Sequence, residues 1–265
     1  VAIRVLVNGA GGKMGRQVCR AVLDDPELEL AGGVDINPSY RGKDIGELLS
    51  MEPLSIYVED SLESALAKKP DVMVDFTHPK SVMDNIRKAI SAGINTVVGT
   101  TGIKTEDLVE IESLLRSSSS NVFIAPNFAI GAVLMIEFSK IAARHLKACE
   151  IVELHHDQKA DSPSGTALKT AEGMHLPPRE RLAKNETETL EGVRGGVTNG
   201  VHIHSVRLPG FVAHQEVIFG GVGQILTIRH DSISRQSFMP GVVMAIKAVS
   251  QRKDLTYGLE KILEI

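Results

Sequence analysis

The sequence predicts an α/β fold, a doubly wound parallel sheet followed by a separate α+β domain. Three observations carry this reading. Short, nearly continuous apolar runs alternate with helical stretches through the first half of the chain, as in strands buried on both faces. A glycine-rich turn, Gly9-Ala-Gly-Gly-Lys-Met-Gly15, joins the first such run to the first helix. Beyond Ile130 the texture changes to strand-like stretches with few helices among them.

The elements follow in order. Residues 3–7 read as a buried parallel strand and 12–23 as an amphipathic helix. A second strand over 28–34 ends in Asp35, and Gly42, Gly46 and Pro53 then break any long element. Helical spacing returns over 61–68, with Ser61 suited to the N-cap. A strand over 71–76 leads to a helix over 79–92, where Pro79 fits a first turn that has no use for its missing N–H. A strand over 95–98, a helix over 105–116 and a polar serine loop over 117–120 precede the last strand of the series, 121–125.

Residues 130–147 then read as one long helix. Strands follow over 150–156, 201–208, 211–219 and 224–229, with one helix from Gly165 among them. The segment 175–200, rich in Glu, Arg, Gly and Pro, reads as a long exposed excursion. Helices over 239–250 and 255–263 are expected to return to the first domain. The division expected is therefore 1–128 with 236–265 as one domain and 129–235 as the other.

The 265 residues suffice for two modest domains with real cores. A net charge of -4 gives no general attraction to nucleic acid, and the absence of Trp with only 4% aromatics argues against base-stacking platforms. An anionic substrate must therefore be captured by a local basic cluster. No apolar run approaches the length of a membrane span, and no secretory signal is visible. Cys19 and Cys149 lack metal-ligand spacing and are expected to be reduced, buried thiols of a cytoplasmic protein.

A strand, a glycine turn and a helix start form an anion-binding arrangement, because backbone can approach a pyrophosphate and the helix presents free N–H groups. The glycines here are Gly9, Gly11, Gly12 and Gly15, with Met14 where the strict fingerprint has its last glycine. A ligand-free tight turn is the bland alternative. Asp35 counts against it, since an acid at the end of the second strand can accept the hydroxyls of an adenosine ribose and would repel a 2′-phosphate. That favours NADH, while Lys13 can soften the repulsion and leaves NADPH open. Gly99-Thr-Thr-Gly102 and Ala125-Pro-Asn-Phe128 follow strands at the same sheet edge, beside Asp75-Phe-Thr77, and together read as a cofactor rim.

The most specific stretch is Glu153-Leu-His-His-Asp-Gln-Lys-Ala-Asp-Ser-Pro-Ser-Gly-Thr-Ala167. His155 and His156 end a strand and point to opposite faces, so a divided role fits better than chelation. One would face the reacting centre and the other a substrate carboxylate, with Lys159 as a nearby cation. Ser164-Gly-Thr-Ala167 opens a helix whose Gly165 and Thr166 amides, with the Thr166 hydroxyl, can hold a carboxylate. Asp157 and Asp161 keep a solvated charge run as the alternative. His202 and His204 share a strand face but lack a third ligand, so no metal is expected. Arg207 and Arg235 read as surface or ion-pair residues, Arg235 also as a residue within reach of a cofactor.

Taken together, these motifs resemble the 4-hydroxy-tetrahydrodipicolinate reductase (dihydrodipicolinate reductase) family of the diaminopimelate route to lysine, over essentially the whole chain. The matching stretches are Gly9 to Arg16, Asp75 to Thr77, Gly99 to Gly102, Ala125 to Phe128, His155 to Ala167 and His204 to Gly210. The resemblance implies a Rossmann-like N-terminal domain completed by the C-terminal helices, and a central domain that binds substrate and assembles a homotetramer. It implies His155 as proton donor or acceptor, Lys159 as proton donor, and His156, Gly165 and Thr166 as ligands of a dicarboxylate substrate. It also implies that Gly9, Ala10, Gly11, Gly12, Lys13, Met14, Asp35, Gly99, Thr100, Thr101, Ala125, Pro126, Asn127 and Phe128 contact NADH or NADPH. Ile36 stands where some members carry an arginine for the 2′-phosphate, so NADH is expected to serve at least as well as NADPH.

Two other readings remain. Another two-domain nicotinamide dehydrogenase would keep the glycine turn and leave the His-His-Lys segment unexplained. A non-catalytic NADH sensor would bind nucleotide without turnover.

Overall fold

The computed structural model describes residues 1–177 and 187–263. They form two compact units, Val1–Phe128 with Phe238–Ile265 (unit 1) and Ala129–Ser237 (unit 2). The first stretch of unit 1 holds β1 (Ile3–Asn8), α1 (Lys13–Asp24), β2 (Leu28–Val34), α2 (Ile45–Leu48), β3 (Val58–Glu59), α3 (Leu62–Leu66), β4 (Val72–Asp75), α4 (Val82–Ala92), β5 (Asn95–Val98), α5 (Thr105–Leu115) and β6 (Val122–Ile124). Unit 2 holds α6 (Ile130–Ala143), β7 (Ala148–His155), α7 (Gly165–Met174), β8 (Gly196–Thr198), β9 (Val201–Arg207), β10 (Ala213–Gly221) and β11 (Gln224–Ser232). The chain then returns to unit 1 with α8 (Met239–Val249), β12 (Leu255–Tyr257) and α9 (Glu260–Leu263).

Unit 1 is a Rossmann-like sheet of seven strands in the order β12-β6-β5-β4-β1-β2-β3, every pair parallel. Leu6, Met73, Val98 and Ile124 point toward α3, α4 and α5 and share their apolar clusters. Strand side chains alternate, so Val5, Val7, Val72 and Val74 face the other way. These four are buried as well, and α1 and α8, which pack on each other and on the sheet, cover that side. On α1 the buried positions Gly15, Val18, Cys19 and Val22 follow one helical stripe.

Unit 2 is a five-stranded mixed sheet, β11-β10-β7-β9-β8, in which only β7 and β9 run parallel. Its inner face is covered by α6 and α7, and Cys149, Ile151, Ile203, Val217 and Phe219 form the core beneath them. Along β7 that same face continues into Glu153 and then His155. The inner face thus turns from apolar to ionic where α7 begins.

Several boundaries differ from the sequence reading. The expected helix over 255–263 is instead strand β12, a turn at Gly258 (φ +101°) and the one-turn helix α9, so β6 is not the last strand of the sheet. Leu255-Thr-Tyr257 pairs with β6, and pairing at the sheet edge overrides a helical reading of so short a run. The helix expected from Pro79 starts at Val82, because the His78 carbonyl accepts from both Ser81 and Val82 in a preceding turn. The helix expected to reach Lys147 ends at Ala143, and β7 begins at Ala148. The excursion read over 175–200 contains β8, paired antiparallel to β9, while its residues 178–186 lie outside the described residues.

Candidate functional site

The residues read from sequence fall into one set in each unit. In unit 1 they lie at the carboxyl ends of β1, β2, β4, β5 and β6, the edge where parallel sheets bind ligands. Strand β1 stands between β4 and β2, so the chain reverses its direction of winding there.

Gly9 leaves β1 with φ +87°, and a Cβ on it would lie 2.5 Å from the Phe76 carbonyl oxygen. Gly12 is the N-cap of α1 and offers no side-chain cap, so the first amides of the helix are not claimed by it. Gly15 carries the closest packing. A Cβ there would stand 1.9 Å from the Gly9 carbonyl oxygen. The glycine that lets helix approach strand is thus present, one position after the Met14 that interrupts the strict fingerprint. Arg16 closes the turn from behind, donating to the Gly11 carbonyl (2.9 Å) and the Tyr40 hydroxyl (3.2 Å) with its guanidinium 5.3 Å above the Tyr40 ring.

Asp35 follows β2 and braces the same turn, one oxygen accepting from the Gly11 amide and the other from the Asn37 amide, each at 2.9 Å. Each carboxylate oxygen retains acceptor capacity for a ribose hydroxyl. Ile36 beside it is 84% exposed, and Lys13 is exposed in the first turn of α1. The cradle of bare backbone, an unclaimed helix start and an acceptor carboxylate fit a dinucleotide.

Asp75 was read as part of the rim. The structure makes it the buried hub beneath the rim. Its oxygens accept from Asn8 Nδ2 (2.9 Å), Asn85 Nδ2 (2.8 Å), Thr77 Oγ1 (2.8 Å), Thr77 N (3.2 Å) and Thr100 Oγ1 (2.6 Å). Five neutral donors take over from water around a fully buried acid, and they hold together the turns after β1, β4 and β5. Thr101 is exposed beside them. Ala125 and Phe128 are buried, with Phe128 against Phe76 (6.0 Å between centroids) and Phe123 (6.3 Å), so they anchor a turn whose Pro126 is exposed.

In unit 2, β7 ends at His155, and His156 lies just beyond the strand rather than in it. His155 Nδ1 is 2.5 Å from Glu153 Oε2. Glu153 is fully buried and also accepts from both terminal nitrogens of Arg207 (2.8 Å each) and from the Ser164 amide (3.2 Å). Burial alone would raise its carboxyl, but the hydrogen bonds from His155, Arg207 and Ser205 outweigh that and hold it at about 2. From sequence alone Glu153 carries no assigned role, and Arg207 reads as a surface or ion-pair residue. The available signal was the period-two spacing that puts Glu153 and His155 on one face of the strand.

Lys159 Nζ pairs with Asp161 Oδ1 at 2.6 Å, and its hydrogen bond holds the Asp161 carboxyl below its usual range. Lys159 and His155 are not hydrogen-bonded to each other among the described residues; each has its own carboxylate. Ser164 caps α7, accepting from the Ala167 amide at 3.2 Å, which leaves the first amides of the helix, those of Gly165 and Thr166, unclaimed by the cap. A Cβ at Gly165 would meet nothing within 4 Å among the described residues, which therefore do not require a glycine there. His202 bonds the Arg194 carbonyl (2.7 Å) and His204 the Glu150 carboxylate (2.9 Å), both structural contacts.

Comparison with known proteins shows which family the chain resembles. The family model described as "Dihydrodipicolinate reductase, N-terminus" matches residues 3–128, and "Dihydrodipicolinate reductase, C-terminus" matches 131–263. The chain is 53% identical to the 4-hydroxy-tetrahydrodipicolinate reductase of Desulfitobacterium hafniense (strain DSM 10664 / DCB-2) over 266 residues, 99% of both chains. It is 52% identical to that of Gloeothece citriformis (strain PCC 7424), covering 98% of both. Among solved structures it resembles a dipicolinate-bound dihydrodipicolinate reductase from Paenisporosarcina sp. TG-14, with TM-score 0.86 and 44% identity over 99% of this chain and 100% of that one.

Proposed function

The chain belongs to the dihydrodipicolinate reductase family, and from that premise we propose that His155 and Lys159 serve its proton chemistry while His156, Gly165 and Thr166 hold the substrate carboxylates. The reaction is the reduction of 4-hydroxy-tetrahydrodipicolinate to tetrahydrodipicolinate with loss of water, a step of the diaminopimelate route to lysine, with NADH or NADPH as reductant. Replacing a C–OH by a C–H consumes one hydride and one proton and releases one water. A bound reduced nicotinamide supplies the hydride. The chain supplies the proton, the orientation and the charge.

One observation carries the assignment on the substrate side. Glu153 touches His155 with one oxygen and the start of α7 with the other, so a proton-exchanging ring and an anion-binding helix end share one anchor. The Gly165 and Thr166 amides and the Thr166 hydroxyl suit a carboxylate, with His156 at the start of the loop that leads to them. Lys159 provides a cation against negative charge that develops as hydride adds, and a proton to discharge it. The test is oxidation of NADH and of NADPH with freshly made product of the preceding synthase as substrate. Absence of turnover with either coenzyme sinks the reading in favour of a nucleotide-binding sensor.

In the same proposal unit 1 binds the dinucleotide through the turns at 9–14, 99–101 and 125–128 and through Asp35, and NADH serves at least as well as NADPH. Its support is the Asp35 carboxylate beside an exposed, uncharged Ile36. Ile36→Arg is expected to raise kcat/KM for NADPH by about 10-fold or more. A hydrogen bond to a charged group contributes about 1.5–3 kcal/mol, and 1.4 kcal/mol is one factor of ten. Steady-state kinetics with both coenzymes decide it, and a wild-type chain strongly preferring NADPH counts against the assignment.

The proposal includes a homotetramer built through unit 2. The edge strand β11 and the turn before it expose Val222, Ile225 and Leu226, apolar surface of the kind that a second copy covers. Light scattering is expected to return four times the chain mass, and a monomer at assay concentration rejects it. It also includes a cytoplasmic location, in keeping with Cys19 and Cys149 as buried thiols rather than a disulfide. No helix among the described residues is long and apolar enough to cross a membrane.

A further inference from the structure

We infer that the buried Glu153–Arg207 pair is a positioning device for the reaction, holding the neutral His155 ring in the tautomer with its proton on Nδ1 and joining the three segments that carry the substrate-side residues. This rests on the proposed roles of His155 and Lys159 and deepens them.

The geometry is specific. An ionised carboxylate only accepts hydrogen bonds, so at 2.5 Å from Glu153 Oε2 the Nδ1 of His155 must donate. The neutral ring then keeps its lone pair on Nε2, which becomes the nitrogen that exchanges protons with substrate. Arg207 grips both oxygens of Glu153 at 2.8 Å and holds the carboxylate orientation. Its Nη2 also donates to the Asp161 carbonyl at 2.8 Å, two residues past Lys159 and on the residue whose side chain holds the Lys159 ammonium. The Ser164 amide on Glu153 Oε1 places the start of α7 against the same pair.

One ion pair therefore touches the strand bearing His155, the loop bearing Lys159 and the helix start bearing Gly165 and Thr166. A purely structural ion pair has no need to meet all three. The charged groups facing His155 are Glu153 from its own strand and Arg207 from β9, which stands opposite His155 in the register, with Lys159 and Asp161 in the loop that follows.

The experiment is Glu153→Gln, which keeps the side-chain shape and removes the charge. Kinetics with NADH are expected to show kcat reduced about 10- to 100-fold, by analogy with the partners that orient metal-bound histidines. Nitrogen-15 spectra of histidine-labelled protein are expected to show His155 protonated on Nδ1 in the wild type and in mixed tautomers in the variant. Should the single variant not fold, Glu153→Gln with Arg207→Met removes both charges at similar volume and is read the same way.

A wild-type neutral ring protonated on Nε2, or a folded variant with unchanged kcat and tautomer, overturns the inference. His155→Ala separates the two levels of argument. If it retains wild-type turnover the proposed site itself is wrong. If it loses turnover while Glu153→Gln does not, only the positioning role falls.

Discussion

Lys159→Ala is expected to lower kcat by about 100- to 10,000-fold, the range that a general acid contributes, with KM for the dicarboxylate changed far less. Lys159 is held 2.6 Å from Asp161 with its side chain 21% exposed, so the ammonium is aimed before substrate arrives. Arginine at the same position separates charge from proton donation. It stays protonated at any working pH, so Lys159→Arg is expected to keep substrate affinity and the charge without restoring turnover. Thr166→Val is expected to behave in the opposite way, raising KM with kcat largely kept, because its hydroxyl is proposed to meet a carboxylate that does not react. Turnover near the wild-type value in Lys159→Ala removes the residue from the proton path.

Gly15→Ala is expected to destabilise the protein by about 1–3 kcal/mol and to raise KM for NADH by at least about 10-fold. In an ordinary helix this change stabilises by about 0.5–1 kcal/mol, so its sign is diagnostic. Here the new methyl would lie 1.9 Å from the Gly9 carbonyl oxygen, 2.7 Å from the Gly9 carbonyl carbon and 2.9 Å from the Ala10 Cα. All three are backbone atoms and cannot swing aside, so α1 must retreat from β1 or the turn between them must deform. Gly165→Ala is the control. Among the described residues nothing lies within 4 Å of its added methyl, so urea unfolding should show no loss of stability while substrate KM reports any crowding of the carboxylate. Unchanged coenzyme affinity in Gly15→Ala argues against dinucleotide binding at this turn.

Much of the fold was legible because its determinants are contiguous. The apolar strands, the helix stripe at Gly15, Val18, Cys19 and Val22, and the capped start at Ser164 each depend on neighbours a few positions apart. Misreadings fell where a distant partner decides the outcome. Leu255-Thr-Tyr257 becomes a strand only because β6 has an edge to offer, and Gly196-Val-Thr198 only because β9 lies alongside. Asp75 was visible as a strand-end acid, yet its role under the rim depends on Asn8, Asn85 and Thr100, brought to it from three other elements.

The chain's own order of residues determined the class of chemistry. A glycine turn after the first strand, an acid after the second and a His-His-Lys segment before a capped helix are local patterns, and they point to nucleotide and carboxylate recognition without reference to distant contacts. Tertiary structure alone decided how the residues proposed to handle protons are held. Glu153 and Arg207 lie 54 positions apart and meet because β7 and β9 pair in parallel, with His155 opposite Arg207 in the register. A buried carboxylate must find donors, and which donors it finds is set by strand pairing rather than by any neighbour in sequence.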